Sequence, residues 1–218
     1  MVMPVQKLTR RTILKRAAGT LAAAISGPTI VPSSVFGAEG RVSPNDRVRV
    51  GYIGVGRRSR QLMGLPEGAE ITAYADLYQK RLDEMKARNA SAKTFLDYRE
   101  MLASDSIDAV VIATPDHWHT LPVVHACEAK KDAYIEKPMT LTVREGRAIV
   151  DAVKKHNVVL QTGSQQRSGS ACQRACKELL DGCIGKIHTI HGANYPSPWD
   201  CDLGEEPVPD GLNWDMWC

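Results

Sequence analysis

Aromatic residues are scarce, and phenylalanine occurs only twice in 218 residues. No long hydrophobic stretch runs unbroken. The longest, Ala17 to Val31, is interrupted by Gly19, Gly27 and Pro28, too short and too broken for a membrane span. No repeat or low-complexity segment occurs, which excludes solenoids and fibrous chains. The cysteines lack the paired CxxC spacing of a zinc site or redox motif. Acids are absent from residues 1–38, whereas Lys7, Arg10, Arg11, Lys15 and Arg16 lie there. Removing those five cations turns the formal charge of +3 into −2, so nucleic acid is not an implied partner. What remains, 43% hydrophobic and 24% charged, suffices for one ordinary core and the beginning of a second.

Residues 1–38 read as a targeting segment: a basic start, an apolar run, and small residues at Gly37 and Ala38. Thr9-Arg10-Arg11-Thr12-Ile13-Leu14-Lys15 resembles the bacterial twin-arginine signal, which implies export of an already folded protein by the twin-arginine machinery. An uncleaved amphipathic tail is the competing reading. Residues 39–46 follow as a linker. Six cysteines in an exported chain invite disulfides. However, Cys172 and Cys176 are expected on one helix face, a poor geometry for a bridge. Cys172, Cys176, Cys183, His188 and His191 match no known ligand arrangement, so no metal is expected, and these cysteines are expected to behave as small buried hydrophobes.

After Pro44, short β-branched runs alternate with amphipathic stretches of about ten residues, the rhythm of a parallel sheet with crossover helices. Strands are expected at Val48–Ile53, Glu70–Ala75, Ala109–Ile112, Asp132–Ile135 and Val158–Thr162. Helices are expected at Gln79–Arg88, His119–Ala129, Val143–Lys155 and Ser170–Asp181, the third opened by Thr142 and Glu145 at capping-box spacing. Lys186–Tyr195 reads as a further strand, with Ile187, Thr189 and Ala193 alternating. A long irregular loop rich in proline and tryptophan follows. The fold class is α/β: a Rossmann-type doubly wound parallel sheet over 47–185, with only the beginning of a second α+β domain over 186–218.

Val48 to Gly56 is a strand running into glycines. Bare backbone at Gly54 and Gly56 lets N–H groups approach a pyrophosphate at a helix start. Asp76 closes the next strand 22 residues after Gly54, the offset of a carboxylate that binds ribose hydroxyls. A tight strand-to-helix turn without a ligand is the plain alternative. Ser59 stands where a third glycine usually allows close packing. Asp76 would repel a 2′-phosphate and so favours NAD, while Arg57 and Arg58 leave NADP open.

Two more segments fall at the ends of later strands, the edge where ligands collect in open sheets. They are Thr114-Pro115-Asp116-His117-Trp118-His119 and Glu136-Lys137-Pro138. With Gly54, Gly56 and Asp76, they resemble the family of glucose-fructose oxidoreductase, inositol dehydrogenase and the rhizopine-catabolism protein MocA. The resemblance runs from about Arg47 onward, and Glu-Lys-Pro is its most specific mark. It implies an NAD(P)-dependent oxidoreductase that passes hydride to or from a sugar, cyclitol or related polyol, with Thr114 and Pro115 on the cofactor and Lys137 beside the reacting hydroxyl. A lysine suits that place because its ammonium stabilises a developing alkoxide. Glu136 is expected to orient the ammonium and Pro138 to fix the turn through a cis bond. His117, His119 and Arg167 are candidates for the nicotinamide or substrate side, with capping, packing or a plain polar loop as the alternatives.

The resemblance further implies a second, mostly antiparallel domain carrying an Asp-x-x-x-His pair and the contact of a homo-oligomer. No such pair follows residue 195. Two other readings stay open: a glycosidase that uses NAD transiently, and an inactive nucleotide-binding module whose Trp199, Trp214 and Trp217 dock a partner.

Overall fold

The computed structural model describes residues 42–43, 46–193 and 203–218. Two units divide the chain, Met1–Asp46 and Arg47–Cys218, and the fold belongs to the second. The export signal expected at 1–38 lies outside the described residues, as do Trp199 and Cys201.

Among the described residues six strands form one sheet: β1 (Val48–Ile53), β2 (Ala69–Ala75), β3 (Lys93–Phe95), β4 (Ala109–Ile112), β5 (Asp132–Glu136) and β6 (Leu160–Gly163). Every pairing is parallel and the order is β3-β2-β1-β4-β5-β6. That order reverses direction between β1 and β4, which leaves a crevice beyond their carboxyl ends. The helices are α1 (Arg57–Gln61), α2 (Gln79–Arg88), α3 (Tyr98–Leu102), α4 (Thr120–Glu128), α5 (Val143–His156), α6 (Ser170–Leu180) and α7 (Trp214–Trp217).

The central strands are apolar on both faces, as a sheet covered on both sides requires. Side-chain alternation along β1 and β4 divides the core in two. On one face Ile53, Val110 and Ile112 pack with Met101 and Leu102 of α3, Val123 and Ala126 of α4, and Ile149 of α5. On the other, Val50, Tyr52 and Val111 pack with Leu82 and Met85 of α2. The expected capping box of α5 is present: Thr142 Oγ1 accepts from Glu145 N at 3.2 Å and Glu145 Oε2 accepts from Thr142 N at 2.8 Å. Ser59 is fully buried at the third-glycine position, and its hydroxyl has no partner.

Some expectations fail. No residue from 186 to 193 is strand, and Ile187 and Ile190 are exposed. Their alternation lacks a described neighbouring strand to pair with, and backbone pairing rather than pattern makes a strand. α6 buries none of its residues, so Cys172 and Cys176 are exposed instead of acting as core hydrophobes. Cys183, just beyond it, is exposed as well, and Cys127 is the buried cysteine among those described. β3 was not expected: three residues carry too little period to show. α3 was also missed, although Asp97 caps it by accepting from Arg99 N. The supposedly irregular end contains α7, started by Asn213, whose side chain accepts from Met216 N at 3.2 Å.

Candidate functional site

β1 delivers Gly54 to the crevice with φ +80°. A Cβ there would sit 2.8 Å from the carbonyl oxygen of Ala113 after β4. Both the left-handed backbone and the close approach of two loops therefore require glycine. Gly56 precedes α1 without a side-chain cap, and a Cβ on it would meet only the Arg81 guanidinium, at 3.7 Å. Asp76 directly follows β2, its side chain 7% exposed. Its Oδ2 accepts from Val55 N at 2.8 Å and its Oδ1 from Tyr78 N at 2.9 Å. The carboxylate thus ties the glycine loop to the β2–α2 loop and retains lone pairs for a further donor.

Gly54, Gly56, Asp76, Thr114 and Pro115 line one cleft. The Thr114 hydroxyl is buried there without a partner. Open backbone, an acceptor carboxylate and an unpaired hydroxyl suit the diphosphate and ribose of a dinucleotide, so the residues present fit that cofactor.

The arginines are arranged differently from expectation. Arg57 is exposed, and Arg58 does not reach the ribose side. Instead, Arg58 Nη2 donates to Glu136 Oε1 at 2.8 Å and Nη1 to Gln61 at 2.8 Å. The buried carboxylate attracts it more strongly than an open cleft does. The cation beside Asp76 is Arg81, 3.7 Å away and stacked over the Tyr78 ring at 5.6 Å. Its signal was its place in the first turn of α2, which points back toward the end of β2.

Lys137 and Pro138 follow β5, exposed and joined by a cis peptide bond. Glu136 does not orient the Lys137 ammonium through its side chain. Its Oε1 faces Arg58 and Tyr134, and its Oε2 accepts only the Lys137 backbone N–H, at 3.3 Å. Burial pushes the Glu136 carboxyl up, but Arg58, with help from the Lys137 N–H and the Tyr134 hydroxyl, outweighs that and holds it below its usual range.

His119 is 1% exposed and does not face the cleft. Its Nδ1 lies 2.5 Å from Pro138 O and its Nε2 3.0 Å from Thr114 O. It clamps the lysine turn to the β4 loop, the packing alternative rather than a substrate contact. His117 is exposed, its Nε2 2.9 Å from Trp217 O. Arg167 is exposed beyond β6, in a separate depression with Cys172 and Leu180, and does not join the glycine cleft. No group of three or more metal-ligating side chains occurs among the described residues.

Residues 48–164 match the profile described as an oxidoreductase family with an NAD-binding Rossmann fold. A myo-inositol 2-dehydrogenase of Thermotoga maritima is 28% identical over 66% of this chain and 44% of its own length. A glycosyl hydrolase family 109 protein of a Shewanella species is 35% identical over 83% of this chain and 46% of its own. Among solved structures, the WlbA dehydrogenase of Bordetella pertussis in complex with NADH and UDP-GlcNAcA superposes with a TM-score of 0.61 at 27% identity, covering 65% of this chain and 44% of that one. The chain spans less than half the length of these relatives. With the matched profile coinciding with the sheet and its glycine cleft, the chain belongs to the glucose-fructose oxidoreductase, inositol dehydrogenase and MocA family and carries its NAD-binding Rossmann domain.

Proposed function

We propose that this chain is the cofactor-binding part of an exported oxidoreductase acting on a CH–OH group of a sugar, cyclitol or related polyol. The observation that carries the reading is the convergence of Gly54, Gly56, Asp76 and Thr114 on one cleft at the sheet's carboxyl edge. On the same edge, His119 ties the Lys137–Pro138 turn to Thr114. When NAD is bound, its nicotinamide supplies the hydride acceptor or donor. Gly54 and Gly56 hold the diphosphate, and Asp76 accepts from the ribose. In the oxidation direction the Lys137 amine would take the hydroxyl proton as hydride leaves the carbon for the nicotinamide, and in reduction its ammonium would return that proton to the carbonyl oxygen and stabilise the developing alkoxide. The paired arginines at 10 and 11 support folded export by the twin-arginine machinery, with the cofactor loaded beforehand. A homo-oligomer and a second domain over residues 186 onward belong to the same proposal.

In the full-length protein, Lys137→Met should lower polyol oxidation by about 10²–10⁴-fold, the scale of a lost acid–base group. The affinity for NAD should stay unchanged. Undiminished turnover would remove Lys137 from the chemistry. A second reading has its own support, because the family 109 glycosidase relative aligns over 83% of the chain. Transient oxidation of a sugar carbon around bond cleavage would release nitrophenol from nitrophenyl glycosides without net NADH, whereas a dehydrogenase accumulates NADH from free sugars.

A further inference from the structure

The segment Gly211–Trp217 lies beyond the matched residues 48–164, yet it returns to the cofactor cleft. On one side it is joined to the loop after Asp76: Gln79 N donates to Gly211 O at 3.1 Å, Asn213 N donates to Leu77 O at 3.0 Å, and Tyr78 and Leu212 form a bridge. On the other it is joined to the loop after Thr114 and Pro115. The Trp118 indole N–H donates to Trp217 O at 2.9 Å, and His117 Nε2 lies 2.9 Å from the same oxygen. The segment therefore straddles the two loops that bound the cleft.

Its side chains form part of the cleft surface. Met216 and Trp217 line it together with Trp118, Arg81, Leu96 and Pro122. Trp214 stacks behind Trp217 at 5.0 Å and 13°, and His117 meets Trp217 edge-on at 5.5 Å. The two indoles and the thioether present polarisable apolar surface suited to a purine ring. Asp76, Leu77 and Arg81 mark this as the adenosine end, while Lys137 is not among the lining residues.

We propose that Gly211–Trp217 is the outer wall of the adenosine end of the cleft, with Trp217 and Trp118 covering the adenine and slowing release of the cofactor. This rests on the reading of the cleft as a dinucleotide site. The segment acts as a wall rather than a plug because Gly54, Gly56, Asp76 and Thr114 still line the cleft with the segment seated. Retention fits an exported enzyme, which has no abundant free nicotinamide nucleotide outside the inner membrane to recapture.

The test uses the full chain, titrated calorimetrically with ADP-ribose and with nicotinamide mononucleotide, plus stopped-flow release of NADH. Trp217→Ala should weaken ADP-ribose and NAD by the same factor, about tenfold for one lost base stack. NADH release should quicken by that factor and mononucleotide binding should not change. Trp217→Phe should stay within about twofold of wild type, since a stacking face remains. His117→Ala cuts one tie with Trp217 in place and should quicken release to a smaller extent. ADP-ribose binding by Trp217→Ala that equals or exceeds wild type overturns the wall, the tighter case marking a plug. A wild-type chain that binds no ADP-ribose overturns the dinucleotide site itself and the wall with it.

Discussion

Arg58→Ala should be among the most damaging single changes near the site, although Arg58 itself touches no cofactor position. In the wild type Glu136, with its side chain 5% exposed, has one strong partner, Arg58 Nη2 at 2.8 Å. Its other donors, Tyr134 Oη at 3.4 Å and Lys137 N at 3.3 Å, are long. Removing one member of a buried pair costs about 3–5 kcal/mol. Arg58 is 30% exposed, so solvent screening reduces this to about 2–3 kcal/mol. For a domain of this size that is a fall in Tm of roughly 5–10 °C.

The pH dependence gives the sharper test. The wild-type Glu136 carboxyl lies below its usual range. The stability it contributes is therefore fully present above the unfolded carboxylate value, about 4.3, and is lost as pH falls through the lower folded value. In Arg58→Ala burial acts almost alone, so the carboxyl moves up and the ionised form carries the penalty. The deficit against wild type should be largest at pH 8 and shrink toward pH 5. Urea unfolding followed by far-ultraviolet circular dichroism measures this, with Arg57→Ala as a control expected within about 0.5 kcal/mol. A deficit below about 0.5 kcal/mol at pH 8, or one independent of pH, would refute the pairing as the cause.

A Cβ on Gly163 would lie 2.3 Å from Tyr134 Oη, so Gly163→Ala should destabilise by about 1–3 kcal/mol. Tyr134→Phe should restore part of the loss by removing that oxygen, and thermal melts of the single and double variants would show it. Asp76→Ala should weaken NAD about tenfold through the lost hydrogen bonds. NADP should fall by less, because Arg81, now 3.7 Å from the carboxylate, becomes free to meet a 2′-phosphate. Equal losses for the two cofactors, measured by titration, would count against Arg81 as that partner.

Much of the fold was legible in the residues because its signals are local. Val48–Ile53, Ala109–Ile112 and Gln79–Arg88 coincide with their observed bounds, since strand runs, helical spacing and the Thr142–Glu145 box act within a few residues. The glycine turn and Asp76 were legible for the same reason: each directly follows a strand, and parallel strands bring such ends to one edge. What a side chain would meet across that edge was not. Arg58 faces Glu136 across 78 residues, and His119 joins two loops. Trp217 reaches the cleft from 99 residues beyond Trp118. The sequence by itself determined the sheet, its helices and the chemistry available at its edge, because backbone periodicity is a short-range property. Only the tertiary structure decided which charges pair, which histidine is sealed in and which aromatic lines the cleft, because partner choice among polar groups follows desolvation and distance in space.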